Sequence, residues 1–308
     1  MTQPEPQPFI GIATFGRQPH TRDLAGVDVA IVGVPFDSGT SHRSGARFGP
    51  RRIREMSLLL WGYNNPLGVA PFEALKVIDY GDVDIIPVNI EDTYTNIERE
   101  VGAILDAGAM VITLGGDHSI ALPLLRAHAR RHGPLAVVHF DSHPDTWDSE
   151  FGGRPYSHGT PFRRAIEEQL IDTRAYIQIG IRGPTSNARD LQDARDLGAR
   201  VITIDEVMPV GIPAVLKEVH DRVAGKQVYV SFDIDAVDPA FAPGTGTPEV
   251  GGLTSYQALQ LVRGLKGLNL IGFDLVEVSP PYDHGDITAV LAANLAFEFL
   301  SLLAMKKG

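Results

Sequence analysis

A chain of 308 residues, 44% apolar and 21% charged, has the composition of a soluble globular protein and is long enough to bury a full core. It contains no cysteine, which excludes disulfides, thiolate-held zinc, iron–sulfur clusters and a cysteine nucleophile, so any metal must be held by His, Asp or Glu. A net charge of −11 and a pI near 5.3 argue against nucleic acid and anionic membrane as partners; they suit a cationic substrate or simply an acidic, soluble surface.

The proline-rich, aperiodic start of the chain reads as irregular, and residues 1–25 as an N-terminal extension of a single domain spanning 1–308. It lacks a basic stretch followed by an apolar one, so no signal peptide and a cytoplasmic location are expected. Strand and helix candidates then alternate. Strand Val29–Val34 precedes helix Pro50–Leu60, strand Leu75–Asp79 precedes helix Ile90–Ala107, and strand Met110–Leu114 precedes helix Ser119–Arg131. Strand Leu135–Asp141 precedes helix Thr160–Gln169, strand Ala175–Gly180 helix Asn187–Leu197, and strand Arg200–Ile204 helix Ile212–Val223. Strand Gln227–Asp233, helix Thr254–Leu265, strand Leu270–Val276 and helix Ile287–Leu303 complete the series.

The strands are near-continuous apolar runs, as parallel strands covered on both faces are, and the helices are long enough for crossovers. One α/β domain around a parallel sheet of about eight strands is therefore expected, with a closed (β/α)8 barrel as the competing architecture. The apolar stretch 289–304 carries Asn294 and Glu298 and reads as a packed helix rather than a membrane span.

Four unusual segments fall at strand ends, where open α/β sheets place their sites. They are Gly115-Gly116-Asp117-His118-Ser119, Asp141-Ser142-His143-Pro144-Asp145, Asp233-Ile234-Asp235 and Asp274-Leu275-Val276-Glu277. Residues two apart in extended chain point to one side, so Asp141, His143 and Asp145 can converge, as can Asp233 and Asp235. With His118 they make four carboxylates and two imidazoles. Six ligands exceed what one ion takes while leaving room for substrate; two ions about 3.5–4 Å apart would use them all. A set rich in oxygen donors favours Mn²⁺ over Zn²⁺ and also accommodates Ni²⁺, Co²⁺ or Fe²⁺. Each residue alone has a plainer reading: a strand-end Asp caps a turn or helix, and a His among apolar residues belongs to the core. Jointly, that reading leaves four carboxylates with no neighbouring Lys or Arg cluster to pair them. His139, inside its strand, is read as structural.

The segments GGDHS (115–119), DSHPD (141–145) and SFDIDAVDPAFAPGTGTPEVGG (231–252) resemble those of the ureohydrolase family of arginases and agmatinases. So do Arg43–Pro50 and DLVEVSPPYD (274–283), so the likeness runs in the family order over nearly the whole chain and is nearest to agmatinases. The resemblance implies a three-layer α/β/α sandwich with a central, mainly parallel eight-stranded sheet, which favours the open sheet over the barrel. It implies two Mn²⁺ ions, one held by His118, Asp141, Asp145 and Asp233, the other by Asp141, His143, Asp233 and Asp235, with Asp141 and Asp233 bridging. It also suggests a homotrimer or homohexamer. Ser142 stands where the family commonly has Ala, and Pro144 removes a backbone donor between two ligands, but neither deletes a ligand.

The implied chemistry is hydrolysis of a guanidino group, with a metal-bridging hydroxide attacking the guanidinium carbon. Glu277 would accept the guanidinium, and His158 in YSHGT matches the family's proton-shuttling histidine. Thr247 in GTGTPE would add a polar contact. The segment Thr146–Ser157 is placed to meet the substrate's tail. It lacks the Ser/Thr/Asn-rich stretch with which arginases grip an amino-acid head, which disfavours arginine. Agmatine, yielding putrescine and urea, is the expected substrate, with Asp148 or Glu150 meeting its ammonium. Arg154 points the other way, toward a carboxylate tail such as that of 4-guanidinobutyrate. A formimidoylglutamase-like enzyme and a catalytically silent paralogue are the remaining alternatives; the complete ligand set speaks against the second.

Overall fold

The computed structural model describes residues 7–307; most of the proline-rich start lies outside the described residues. Its strands are β1 (Val29–Val34), β2 (Val77–Asp82), β3 (Met110–Gly115), β4 (Leu135–Phe140), β5 (Ile171–Ile181), β6 (Arg200–Thr203), β7 (Gln227–Asp233) and β8 (Asn269–Val276). All pair in parallel, in the order β2-β1-β3-β8-β7-β4-β5-β6, so β2 and β6 are the edge strands, β2 bridged on its outer side by His20, and the sheet is open rather than a barrel.

The period of two along each strand divides the core into two. Val29 and Ile31 of β1, Val138 and Phe140 of β4 and Phe273 of β8 join one apolar cluster; Ala30, Val32 and Val137 join the other, as does Ile271, where a bulge in β8 interrupts the alternation. Helices α1 (Gly49–Ser57), α7 (Ile204–Val223), α8 (Ser255–Arg263) and α9 (Ile287–Lys307) cover the first face, through Ile53, Val215, Leu261 and Leu295 among others. The short α2 (Pro71–Ala74) sits beside α9. Helices α3 (Ile90–Asp106), α4 (Ala121–His132), α5 (Pro161–Glu167) and α6 (Asp190–Asp196) cover the second face through Ile97, Leu124, Phe162 and Ala194. The result is the three-layer α/β/α sandwich. Helix α9 is long and apolar enough to cross a bilayer, but Leu295, Phe299 and Leu303 are buried in the core, and Glu298 is tied to Arg263 and Asn64.

Three local features depart from the sequence expectation. Helix α7 begins at Ile204 rather than Ile212, because the Glu206 side chain caps the Thr203 N–H (2.9 Å) and starts the helix before Pro209 and Pro213. The chain breaks at Gly211, with φ of 76°, and then resumes the helix, so the Pro-Val-Gly-Ile-Pro run is a kink inside one element. In the N-terminal extension, Phe15 is fully buried, its N–H donates to Asp79 Oδ2 (2.8 Å), and Gly16 N–H donates to Ser57 Oγ (2.9 Å). Asp79 is in turn held by Arg54 at 2.8 Å, so one aromatic anchor docks the extension on a paired carboxylate.

The strand order has one consequence for chemistry. β3, β8, β7 and β4 are contiguous at the sheet centre, with about 4.8 Å between neighbours. Their C-terminal ends carry His118, Glu277, Asp233 and Asp141, which gathers four distant sequence segments along roughly 14 Å of sheet edge.

Candidate active site

Each strand-end turn is built so that a carboxylate does two jobs. Asp233 Oδ1 accepts the Asp235 N–H (2.8 Å), capping the helical turn Ile234–Ala236, while its Oδ2 lies 3.2 Å from His118 Nδ1. Asp141 Oδ1 accepts the His143 N–H (2.6 Å), and Oδ2 lies 3.1 Å from the same His118 nitrogen. The capping reading and the clustering reading are therefore both true, one oxygen each. At the β3 end, Gly116 lets the backbone pass: a Cβ there would sit 1.9 Å from the Phe36 carbonyl oxygen. Asp117 then caps the turn that begins at His118 and aims the imidazole at the sheet edge.

His118 is the centre of the first group. Its Nδ1 faces three carboxylate oxygens, on Asp145 (2.9 Å), Asp141 (3.1 Å) and Asp233 (3.2 Å), and makes no well-aligned hydrogen bond. One N–H cannot serve three acceptors. The other ring nitrogen, Nε2, meets Ser231 Oγ at 2.9 Å, and that hydroxyl donates to Asp274 Oδ1 (2.7 Å), whose second oxygen accepts from Tyr229 (2.7 Å). With its proton committed to Asp274, Ser231 accepts from Nε2–H, which leaves Nδ1 to face the carboxylates, with a proton when no cation is bound and with a lone pair toward a cation. A cation between them satisfies this arrangement, and a second group extends it: His143 Nδ1 lies 3.1 Å from Asp235 Oδ2 and 3.6 Å from Asp141 Oδ1. Among the described residues, no lysine or arginine side chain forms an ion pair with Asp141, Asp145, Asp233 or Asp235.

The electrostatics show the same demand for positive charge. Burial pushes Asp233 well above the usual carboxylate range, and Asp235 and Asp141 add to the push. Burial and the Asp141 charge raise Asp145 to about 7. Burial opposes protonation of His118, yet the three surrounding carboxylates override it and hold the imidazole well above its ordinary value. Asp141 lies well below its ordinary value despite burial, because the imidazoles of His118 (3.1 Å) and His139 (2.7 Å) lie against it.

The reading of His139 as structural is only half of its role. It is fully buried and stacked on Phe162, but its Nε2 also holds Asp141 Oδ2 at 2.7 Å. Burial lowers its pKa, so it is a neutral donor, fixed at Nδ1 by the Tyr176 hydroxyl (3.1 Å), which Gln178 orients (2.7 Å). The strand period, which places residues 139 and 141 on one side, is the signal that could have found it. Ser142 supports Asp235 Oδ1 through its N–H (3.0 Å) and hydroxyl (2.8 Å).

Beside the metal-type cluster sits a second functional pair. Glu277 is buried with a left-handed backbone, φ of 63°, and Asp145 shares that strain at 48°. Glu277 Oε1 accepts from the His118 backbone N–H (2.9 Å) and meets His158 Nδ1 (3.1 Å), while Oε2 is buried with no hydrogen-bond partner among the described residues. A Cβ on Gly246 would stand 3.3 Å from that oxygen. Burial lowers the His158 pKa, but the hydrogen bond and charge of Glu277 outweigh it and raise the imidazole to about 9. A cleft of about 100 Å³ opens between the two groups, lined by Ser41, Asp145, Trp147, Glu150, His158 and Thr247 among others. Nothing in the sequence pattern marks Ser41 for this place, whereas Trp147 belongs to the Thr146–Ser157 segment expected at the mouth of the site.

The tail-contact candidates separate. Thr247 lines the cleft and its hydroxyl lies 3.4 Å from Asp235 Oδ2. Glu150 lines it too, with Oε2 accepting from Ser157 Oγ (2.6 Å) and Gly159 N–H (3.2 Å). Asp148 does not: its side chain is 73% exposed and turned to Arg164 at 3.0 Å. Arg154 lines a neighbouring, larger cleft of about 410 Å³ with Phe151, Tyr156 and Glu91, to one side of the carboxylate cluster.

Residues 27–301 match the Arginase family. The chain is 48% identical to the guanidinopropionase of Pseudomonas aeruginosa over 99% of its length and 98% of that protein's. It is 47% identical to the mitochondrial agmatinase of Gallus gallus, over 96% of this chain and 86% of that protein. The solved structure of proclavaminate amidino hydrolase from Streptomyces clavuligerus superposes with a TM-score of 0.93 at 44% identity, covering 96% of this chain and 98% of that one. With the fold, the carboxylate–imidazole cluster and these likenesses in agreement, the chain belongs to the arginase family, whose members are hydrolases acting on guanidino groups.

Proposed function

We propose that the protein hydrolyses a small linear guanidino compound to urea and an amine, with two divalent ions, Mn²⁺ by preference, as its cofactor. The observation that carries this reading is His118 Nδ1, which faces three carboxylate oxygens at 2.9–3.2 Å while Nε2 is engaged by Ser231. His118, Asp141, Asp145 and Asp233 would hold one ion and Asp141, His143, Asp233 and Asp235 the other. When bound, such ions supply Lewis-acid activation of water at neutral pH.

The remaining work falls to the chain's own residues. A guanidinium carbon is a poor electrophile because resonance spreads its charge, so it must be held in place for attack. Glu277 Oε2, buried and unpartnered beside Gly246, is available to take a guanidinium N–H in a charge-assisted bond. His158, lining the cleft and bonded to Glu277, is placed to give a proton to the nitrogen that leaves. Trp147 and Thr247 bound the cleft and exclude water around the substrate.

For the substrate's far end, Glu150 is the carboxylate lining the cleft outside the metal-type cluster, and among the described residues no lysine or arginine lines it. This favours a cationic tail, hence agmatine with putrescine as product. The second reading, a carboxylated guanidino compound such as 4-guanidinobutyrate, is favoured by the likeness to a guanidinopropionase. A panel of agmatine, 4-guanidinobutyrate and 3-guanidinopropionate with Mn²⁺-loaded protein separates the two. Higher kcat/KM on either acid overturns the agmatine reading; no urea from any of the three compounds, or formamide release when a formimidoyl amino acid is added to the panel, overturns hydrolysis of a guanidino group. We further propose a cytoplasmic homotrimer or homohexamer, supported by exposed apolar side chains such as Trp61 (75%) and Val88 (94%); light scattering that gives a monomer would refute it.

A further inference from the structure

The hydroxyl of Ser41 has no part in the hydrolase reading, yet its position beside His158 gives it one if that reading holds. Ser41 belongs to the loop between β1 and α1, and two buried carboxylates fix that loop. Asp117, fully buried, accepts the Gly39 N–H (2.7 Å); Asp37 accepts the Gly45 N–H (2.7 Å) and pairs with Arg47. The Gly39 carbonyl accepts the His158 N–H (3.0 Å), so the loop is locked to the histidine's backbone as well. The outcome is that Ser41 Oγ stands 2.8 Å from His158 Nε2, with the Ser41 N–H at 3.1 Å from the same nitrogen. His158 is only 8% exposed, whereas Ser41 is exposed.

The two ring nitrogens of His158 thus face different worlds. Nδ1 faces Glu277 in the buried site; Nε2 faces Ser41 and, beyond it, solvent. A backbone N–H can donate to Nε2 but never accept from it, so when Nε2 carries a proton the Ser41 hydroxyl is its hydrogen-bond acceptor among the described residues. We propose that Ser41 is the proton conduit between His158 and solvent, a role that rests on the hydrolase reading. In the neutral ring that bound cations would favour, Nε2 accepts the Ser41 N–H (3.1 Å); as Nδ1 gives its proton to the departing nitrogen, Ser41 passes its hydroxyl proton to Nε2 and takes one from solvent or buffer. The ring's charge is unchanged and its tautomer inverted. The same hops in reverse, when the next water in the site sheds a proton, restore the first tautomer and return one proton to solvent.

Ser41→Ala keeps the backbone N–H that orients the ring and removes only the hydroxyl, at an exposed position where folding is not at risk. In dilute buffer it should lower kcat about tenfold, a fraction of the 10²–10⁴ that general acid–base catalysis supplies, with KM and bound Mn²⁺ unchanged. Raising the concentration of a small buffer such as imidazole should restore kcat, and Ser41→Thr should recover most of it without buffer. Unchanged kcat of Ser41→Ala in dilute buffer overturns the conduit, and so does a loss that buffer fails to restore, which would assign the hydroxyl to ring orientation alone. Failure of the hydrolase reading is distinguishable, because it shows as absence of urea from the parent protein.

Discussion

Glu277→Gln is the substitution that isolates charge at the proposed guanidinium site. Gln preserves the length of the side chain and an acceptor for the His118 N–H (2.9 Å) and for His158 Nδ1 (3.1 Å), so the fold and the ring's position should survive. What goes is the negative charge. The bond to a substrate guanidinium and the bond to His158 both lose their anionic acceptor, and at about 1.5–3 kcal/mol for each such bond the loss comes to roughly 3–6 kcal/mol. That corresponds to a fall of about 10²–10⁴ in kcat/KM for urea release.

A second readout comes from His158. In the metal-free protein it is held at about 9 against an ordinary 6.5, with burial opposing and Glu277 supplying the rise. A raised folded-state pKa stabilises the fold most at low pH: the contribution, on the order of 3 kcal/mol, is complete below about pH 6.5 and is lost as pH climbs through about 9. In Glu277→Gln the imidazole signal should titrate well below 9, and the loss of stability between those pH values should shrink. A variant within tenfold of the parent in kcat/KM, or a His158 still titrating near 9, would refute this role for Glu277.

Four further outcomes are expected. Asp233→Ala, which removes a carboxylate capped on one oxygen and clustered on the other, should abolish urea release and lower bound Mn²⁺ below two per chain; full activity would refute a shared-carboxylate site. His158→Ala should cut turnover about 10²-fold or more with metal content intact, measured by metal analysis beside the rate; loss of metal would mean that its role is misassigned. Asp274→Asn removes the carboxylate that orients Ser231 and hence His118, and should weaken Mn²⁺ binding about 10–100-fold in equilibrium dialysis; unchanged affinity would dismiss that relay. Phe15→Ala should cost about 3–5 kcal/mol in the docking of the N-terminal extension, seen as faster limited proteolysis before residue 25 with kcat unaffected.

Much of the fold is legible because parallel strands buried on both faces write themselves as apolar runs: β1 and β7 have the bounds expected from their residues, and most other elements differ by a few. The strand order is not written there. Nothing in the runs says that β8 and β7 lie between β3 and β4, and only that order sets Glu277 and Asp233 between His118 and Asp141. The six cluster residues are nameable because three short acidic segments at strand ends have no basic partners. The residues that support them are not, since Ser41, Ser231 and Tyr176 are common residue types whose importance lies in one distance each. Asp148 shows the opposite error: position in a loop suggests the cleft, while the nearby Arg164 of α5 offers a closer countercharge and draws it outward.

The proposed chemistry requires His118, Asp141, His143, Asp145, Asp233 and Asp235 together to hold two ions. Anomalous diffraction at the manganese edge from crystals grown with Mn²⁺ tests it most directly. Two peaks should appear, one among His118, Asp141, Asp145 and Asp233 and one among Asp141, His143, Asp233 and Asp235. A single peak, or none at this cluster, would contradict it.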